Sequence, residues 1–180
     1  MFSGRDRYID IVVPVYDDPD GIRATLDSLV AQSTDSPHEI VVVDNGSADR
    51  TPEVVRSYEN DHDHLTLVHE TEIQSSYAAR NTGIRNTDSE LLAFVDADMT
   101  VPEDWLDSAL AAFESADADY MGCHVELTLP DDPALAARYD HHTGFPVEEY
   151  LEQQGFAPTC CLFVRRDVFA DLGLFDHRLV

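Results

Sequence analysis

Two rhythms of apolar residues alternate along this chain. Ile9 to Val15 is a β-branched, nearly unbroken run, the pattern of a strand covered on both faces. Asp20 as an N-cap, with Ile22, Leu26, Leu29 and Val30 at helical spacing, predicts a helix after it. Glu39 to Val43 reads as a second strand. The next helix has Thr51 as its cap, Pro52 at its first position and Val54, Val55 and Tyr58 turned inward. Leu65 to Val68 is a third strand, Ser76 to Asn86 a third helix and Leu91 to Val95 a fourth strand. Pro102, with Glu103 and Asp104 in the first turn, opens a helix carrying Leu106, Ala109, Leu110 and Phe113. Strands and helices in strict alternation predict an α/β fold: a mainly parallel, doubly wound, Rossmann-like sheet with helices on both faces.

The regularity weakens after Tyr120. Tyr120 to Leu129 is expected as a strand, 133–153 as mixed helix and loop, and Thr159 to Val164 as a short strand. Arg166 to Leu172 reads as a helix ended by Gly173. No repeat, linker or shift in composition divides the 180 residues, so a single domain spanning 1–180 is expected.

Composition changes the picture through charge. The chain carries 24 Asp and 12 Glu against 11 cationic side chains, all of them Arg, for a formal charge of −25. The acids are spread over the whole length, and such a surface repels polyanions, which argues against a nucleic-acid partner. Short Asp in place of long Lys stems is the pattern of proteins adapted to high salt, so the bulk charge is read as halophilic adaptation rather than mechanism, with stability rising as salt screens the repulsion. With 43% hydrophobic residues the chain has material for a real core. No run approaches the roughly 20 apolar residues of a bilayer span, and residues 1–10 lack the apolar stretch of a signal peptide. A cytoplasmic protein is expected. Cys123, Cys160 and Cys161 form no disulfide framework or metal spacing and read as small core residues in a reducing compartment. His62, His64, His141 and His142 lack partners at ligand spacing and read as solvated loop residues.

In an open parallel sheet, ligands bind beyond the carboxyl ends of the strands. Three such ends carry suggestive groups: Pro14-Val15-Tyr16-Asp17, Asp44-Asn45-Gly46-Ser47 and Asp96-Ala97-Asp98. Asp44 emerges from an apolar strand where its carboxylate can accept from a base imino group or a ribose hydroxyl, although Asp-Asn-Gly is also turn chemistry. Tyr16 either stacks on a base or closes the core. Asp96 and Asp98, one residue apart at the end of Leu91 to Val95, make a hard oxygen site. A divalent cation there would keep several waters and accept phosphate oxygens. Asp61 with Asp63 and Asp117 with Asp119 share the spacing but lack the strand context.

The ordered set of these segments resembles the family-two glycosyltransferases of the GT-A fold. It comprises Ile11 to Tyr16, Ala31-Gln32, Glu39 to Ser47 with Asp49 and Thr51, Ala79-Arg80-Asn81 with Gly83, Val95 to Asp98, Arg165-Arg166, Gly173 and Phe175-Asp176. The resemblance implies transfer of a sugar from a nucleoside diphosphate sugar, with inversion, to an acceptor glycan or lipid carrier. By similarity Pro14, Tyr16 and Asp44 would line the base and ribose pocket, with Asp17, Ser47 and Arg80 beside them. Asp96 would face the ribose or donor sugar, and Asp98, helped by Asp96, would hold Mg²⁺ or Mn²⁺ on the diphosphate. The acceptor-side elements would begin near residue 120, and the stretch from His141 to Gln154 would shape acceptor recognition.

The same resemblance places the catalytic base in an acidic motif shortly after the segment matched by Phe175-Asp176, so the base is expected beyond Val180. The donor half of a site is therefore expected within these residues. The expected location is the cytoplasm, with the inner membrane face as an alternative for the full-length protein. Two rivals remain. One is a non-catalytic nucleotide-sugar-binding module of the same fold. The other is a haloacid dehalogenase-like phosphatase, whose D-x-D-x-T pattern Asp96 to Thr100 fits, although here the motif follows the fourth strand and no Lys is present.

Overall fold

The computed structural model describes residues 9–128 and 147–178. His141, His142 and the part of the expected acceptor-shaping stretch before Val147 lie outside the described residues. The elements are β1 (Ile9–Val15), α1 (Pro19–Val30), β2 (His38–Asp44), α2 (Thr51–Asp61), β3 (Leu65–His69), α3 (Ser76–Arg85), β4 (Leu91–Val95), α4 (Trp105–Ala116), β5 (Tyr120–Gly122), α5 (Val147–Gln154), β6 (Cys161–Arg165) and α6 (Arg166–Leu172).

The six strands form one sheet in the order β3-β2-β1-β4-β6-β5. β1 to β4 are mutually parallel, and β6 lies antiparallel between β4 and β5. Period-two alternation divides the core. Ile9, Ile11, Val13 and Val15 of β1, with Ile40, Val42, Ala93 and Phe163, pack against α1, α2 and α4 on one face. Val12, Val41, Val43, Leu92, Phe94 and Leu162 face α3 and α6 on the other. The helices therefore cover both faces, and the near-continuous apolar strands are explained by burial on both sides.

Three local expectations are corrected. Asp18, not Asp20, caps α1: its side chain accepts from the Gly21 amide at 2.8 Å, and Pro19 takes the first position. Thr51 is the first residue of α2 rather than its cap, and Asp49 accepts the Thr51 amide at 2.9 Å. The strand expected from Tyr120 to Leu129 stops at Gly122 because its partner β6 begins at Cys161. One further bond, Cys123 N–H to the Cys161 carbonyl at 3.0 Å, uses up that partner.

α3 lies unusually close to the sheet. A Cβ on Gly83 would stand 2.3 Å from Val12 Cγ1, so only glycine lets the helix settle there. This closeness carries Arg80, one turn earlier, to the carboxyl end of β1. No helix among the described residues is long and apolar enough to cross a membrane.

Candidate functional site

Because β2, β1 and β4 are parallel neighbours, their carboxyl ends lie side by side on one rim. Asp44 pairs in register with Val15, and β4 lies on the far side of β1. The expectation that the three polar strand ends share an edge is met by the topology. A cleft of about 200 Å³ opens there, lined by Pro14, Val15, Tyr16, Asn45, Ser76, Ala79, Arg80 and Asp96. Four of the expected residues, Pro14, Tyr16, Arg80 and Asp96, thus meet at one hollow.

The others stand around it in different roles. Asp44 is buried, and its carboxylate is engaged from both sides: His69 Nδ1 lies 3.1 Å from Oδ2, and the Ser47 amide donates to Oδ1 at 3.3 Å. Asp17 and Ser47 stitch two loops together. The Asp17 amide donates to Ser47 Oγ at 2.9 Å, while Asp17 Oδ1 accepts the Ala48 amide at 2.7 Å and the Asp49 amide at 3.3 Å. Asp17 has φ 47°, a left-handed conformation that Asp tolerates better than most residues, and the stitching holds it there. Asp98 is exposed on the turn that follows Asp96 and does not line the cleft.

That turn is well anchored. The Asp96 amide donates to the Cys160 carbonyl at 3.0 Å, and the Met99 amide donates to the Asp96 carbonyl at 3.1 Å. The start of α1 presses on it so closely that a Cβ on Gly21 would stand 2.9 Å from the Ala97 carbonyl oxygen. Across the cleft, Arg80 Nη2 donates to Asp96 Oδ1 at 2.5 Å. Arg80 is 4% exposed, its Nε–H has no acceptor among the described residues, and its Cζ stands 6.0 Å from the Tyr77 ring centroid. Tyr16, by contrast, is 50% exposed at the mouth, where a planar ring has room above it.

Several contributors were not singled out from sequence. Asn45 looked like the middle of a turn, yet it is buried and donates from Nδ2 to the Ile73 carbonyl at 2.9 Å, tying the β2 loop to the segment before α3. His69 was missed because β3 was ended at Val68. Asn81 is buried and grips the backbone of Phe175, donating to its carbonyl at 2.8 Å and accepting its amide at 3.0 Å. Phe175 in turn stacks on Tyr77 with centroids 6.1 Å apart. The pairing of Ala79-Arg80-Asn81 with Phe175-Asp176 in one motif set was the available signal. Cys160 is a half-buried thiol whose pKa is raised by burial first and by the Asp96 charge second, so it stays protonated beside the site.

For a divalent cation the donor chemistry fits. Asp96 and Asp98 are hard carboxylate donors, and the Asp96 side chain is 33% exposed. No group of three His, Cys, Asp or Glu side chains able to hold a metal ion is present among the described residues, which leaves the remaining positions to water and to ligand oxygens, as Mg²⁺ and Mn²⁺ accept.

Comparison with known proteins bears on this arrangement. Residues 10–173 match the family described as Glycosyl transferase family 2. Glycosyltransferase AglE of Haloferax volcanii is 36% identical over 174 residues, which cover 96% of this chain and 57% of that protein. Among solved structures, the mannosyltransferase PcManGT of Pyrobaculum calidifontis, in complex with GDP-Man and Mn²⁺, superposes with a TM-score of 0.72 at 27% identity, over 94% of this chain and 47% of that one. S. aureus TarS 1-349 in complex with UDP-GlcNAc shares the fold with a TM-score of 0.67 at 23% identity, over 94% of this chain and 48% of that one. The chain thus spans about half the length of each of these three proteins.

Proposed function

Since the chain belongs to glycosyl transferase family 2, we propose that its carboxyl rim binds a nucleoside diphosphate sugar and that the protein transfers the sugar, with inversion, to an acceptor glycan or lipid carrier. The observation that carries the reading is the shared cleft of Pro14, Tyr16, Arg80 and Asp96 at the ends of adjacent parallel strands.

Each residue then has a physical task. Tyr16 stacks on the base from the cleft mouth, and Pro14 walls the opposite side. Asp44 stands beside the cleft, next to its lining residue Asn45: with His69 and the Ser47 amide holding its carboxylate in one orientation, it would accept from the base or ribose. Asp17 and Ser47 keep the two loops at a fixed separation. Arg80 offers a guanidinium to phosphate oxygens, which its planar fork matches well. Asp98, with Asp96, would hold Mg²⁺ or Mn²⁺. When bound, the cation would stabilise the negative charge that gathers on the departing diphosphate. Such charge compensation also matters because a protein of formal charge −25 otherwise repels an anionic donor.

On this reading the residues named above bind donor and cation, and the base that removes the acceptor proton is none of them. We place the activity in a salt-rich cytoplasm, consistent with the distributed carboxylates. Titration with UDP and with GDP, each with Mn²⁺, tests the reading by calorimetry. Saturable uptake of one nucleotide is expected, and uptake of neither would refute it.

A further inference from the structure

Asp96 stands between two partners. As part of a cation site it should present a free negative charge, yet its Oδ1 already accepts Arg80 Nη2 at 2.5 Å. Arg80 is fixed by burial rather than by a full set of hydrogen bonds. It is 4% exposed, its Nε–H lacks an acceptor, and of its guanidinium hydrogen bonds only the one to Asp96 is formed within the described residues. A buried N–H without an acceptor costs free energy that any pose supplying one recovers. Beyond burial, the present pose of Arg80 therefore rests on the one bond to Asp96, which is open to competition.

The cation side of the balance is equally weak without a ligand. No three-residue metal-holding group exists among the described residues. Of the two candidate carboxylates, one is neutralised by a guanidinium in direct contact, and the other, Asp98, is exposed. A divalent cation approaching Asp96 meets the like charge of Arg80 in a partly dehydrated cleft, where screening is poor.

We propose that the Arg80–Asp96 ion pair is an interlock: in the empty cleft Arg80 caps Asp96 and disfavours a divalent cation, and the phosphate oxygens of a nucleoside diphosphate draw Arg80 away, freeing Asp96 so that nucleotide and cation bind together. The inference rests on the nucleotide-sugar reading above and adds an order to it. Phosphate is a competent rival for Arg80 because it accepts two parallel N–H bonds and can also meet the orphaned Nε–H. Thermodynamic linkage makes the effect reciprocal, so the cation must tighten nucleotide binding by the factor by which nucleotide tightens cation binding.

Calorimetry on the folded chain in molar salt, which screens the surface carboxylates, tests this with Mn²⁺ alone, with UDP or GDP alone, and with both. The parent chain should bind Mn²⁺ at least tenfold more tightly once the nucleotide is present. Arg80→Ala should bind Mn²⁺ alone at least tenfold more tightly than the parent, and the benefit from nucleotide should shrink to match. Arg80→Lys retains a charge and should resemble the parent toward Mn²⁺ alone. Arg80→Gln, neutral but of similar length, gives the same comparison where the alanine variant does not fold. Adding Asp96→Asn to Arg80→Ala should erase the gain, assigning it to Asp96. Unchanged Mn²⁺ affinity in the neutral variants, beside nucleotide uptake by the parent chain, overturns the interlock alone. Uptake of neither nucleotide in the presence of Mn²⁺ overturns the underlying reading and the release step with it.

Discussion

The two rims of the sheet each hold an arginine beside an aspartate, Arg80 buried and Arg166 half-buried, and they use them differently. At the amino rim Asp10, 0% exposed, accepts the Asp88 amide at 3.0 Å and the Ser89 amide at 2.9 Å, with Arg166 Nη2 at 3.8 Å. Arg166 spends all its nitrogens on the same turn: Nε on the Ser89 carbonyl, Nη1 on the Ile84 carbonyl and Nη2 on Thr87 Oγ1. At the carboxyl rim Arg80 spends one bond, on Asp96. The volume of adjoining space does not separate the two. The hollow beside Arg166, about 480 Å³, exceeds the cleft beside Arg80 and is lined by Asp88, Glu90 and Asp167 as well. Nor does an orphaned atom, since Asp10 Oδ1 has no partner either. The discriminating feature is whether the guanidinium's donors are consumed by the protein's own backbone or left for something else.

The comparison can be broken most directly at Asp98. Its carboxylate is exposed and makes none of the hydrogen bonds that hold the turn, so Asp98→Asn should leave stability within about 0.5 kcal/mol. Nucleotide affinity in the presence of Mn²⁺ should fall by about two orders of magnitude, the scale of a lost cation contribution of several kcal/mol. Calorimetry and thermal unfolding on the same samples check both halves. A loss of fold with unchanged affinity would reverse the roles assigned to the rims.

Arg166→Ala is the counterpart. It leaves the buried Asp10 carboxylate with only the Asp88 and Ser89 amides and removes the three bonds by which Arg166 ties the turn, a loss of about 1–3 kcal/mol. Denaturant unfolding should report that loss, while the nucleotide affinity of the folded fraction stays at the parental value. Between the two lies Gly83→Ala. The new methyl collides with Val12, an overpacking cost of about 1–3 kcal/mol, and the helix it displaces carries Arg80. Here stability and nucleotide affinity should fall together, the signature of a residue that serves both rims.

The fold was largely legible because its signals are local and repeated. The strands from Ile9 to Val95 are mostly apolar runs between turn residues, and a mainly parallel sheet follows once their alternation with helices is seen, whereas the insertion of antiparallel β6 beside β4 does not. Errors fell where tertiary partners decide. The end of β5 is set by where β6 begins, which nothing in Tyr120 to Leu129 records. The choice between Asp18 and Asp20 as cap turns on which carboxylate the chain direction aims at the Gly21 amide. At the site, the family resemblance implied Pro14, Tyr16, Arg80 and Asp96 as neighbours, but not that Asp17 and Ser47 bond to each other or that Asp44 is taken up by His69. Those facts depend on contacts across 30 and 25 residues of chain, and no periodicity encodes them.

The smallest expected effect sharpens the amino rim further. His64, just before β3, packs edge-on against His38 and His62, with ring centroids 5.1 Å and 5.7 Å away. Burial, then the charges of His38 and His62, lower its pKa from the ordinary value of 6.5, and Asp63 opposes them only in part. A histidine whose folded pKa is depressed takes up its proton more readily when unfolded. The associated stability is therefore complete above about pH 6.5 and is lost as pH falls through the folded value. Denaturant midpoints measured from pH 7.5 down to 5.5 should decline, and His64→Asn should flatten the decline by removing the titrating ring. Because His64 lies at the amino ends of the strands, the nucleotide affinity of His64→Asn should follow the parent's at every pH. A pH dependence of affinity that disappears with His64 would mean that the two rims are coupled through the sheet.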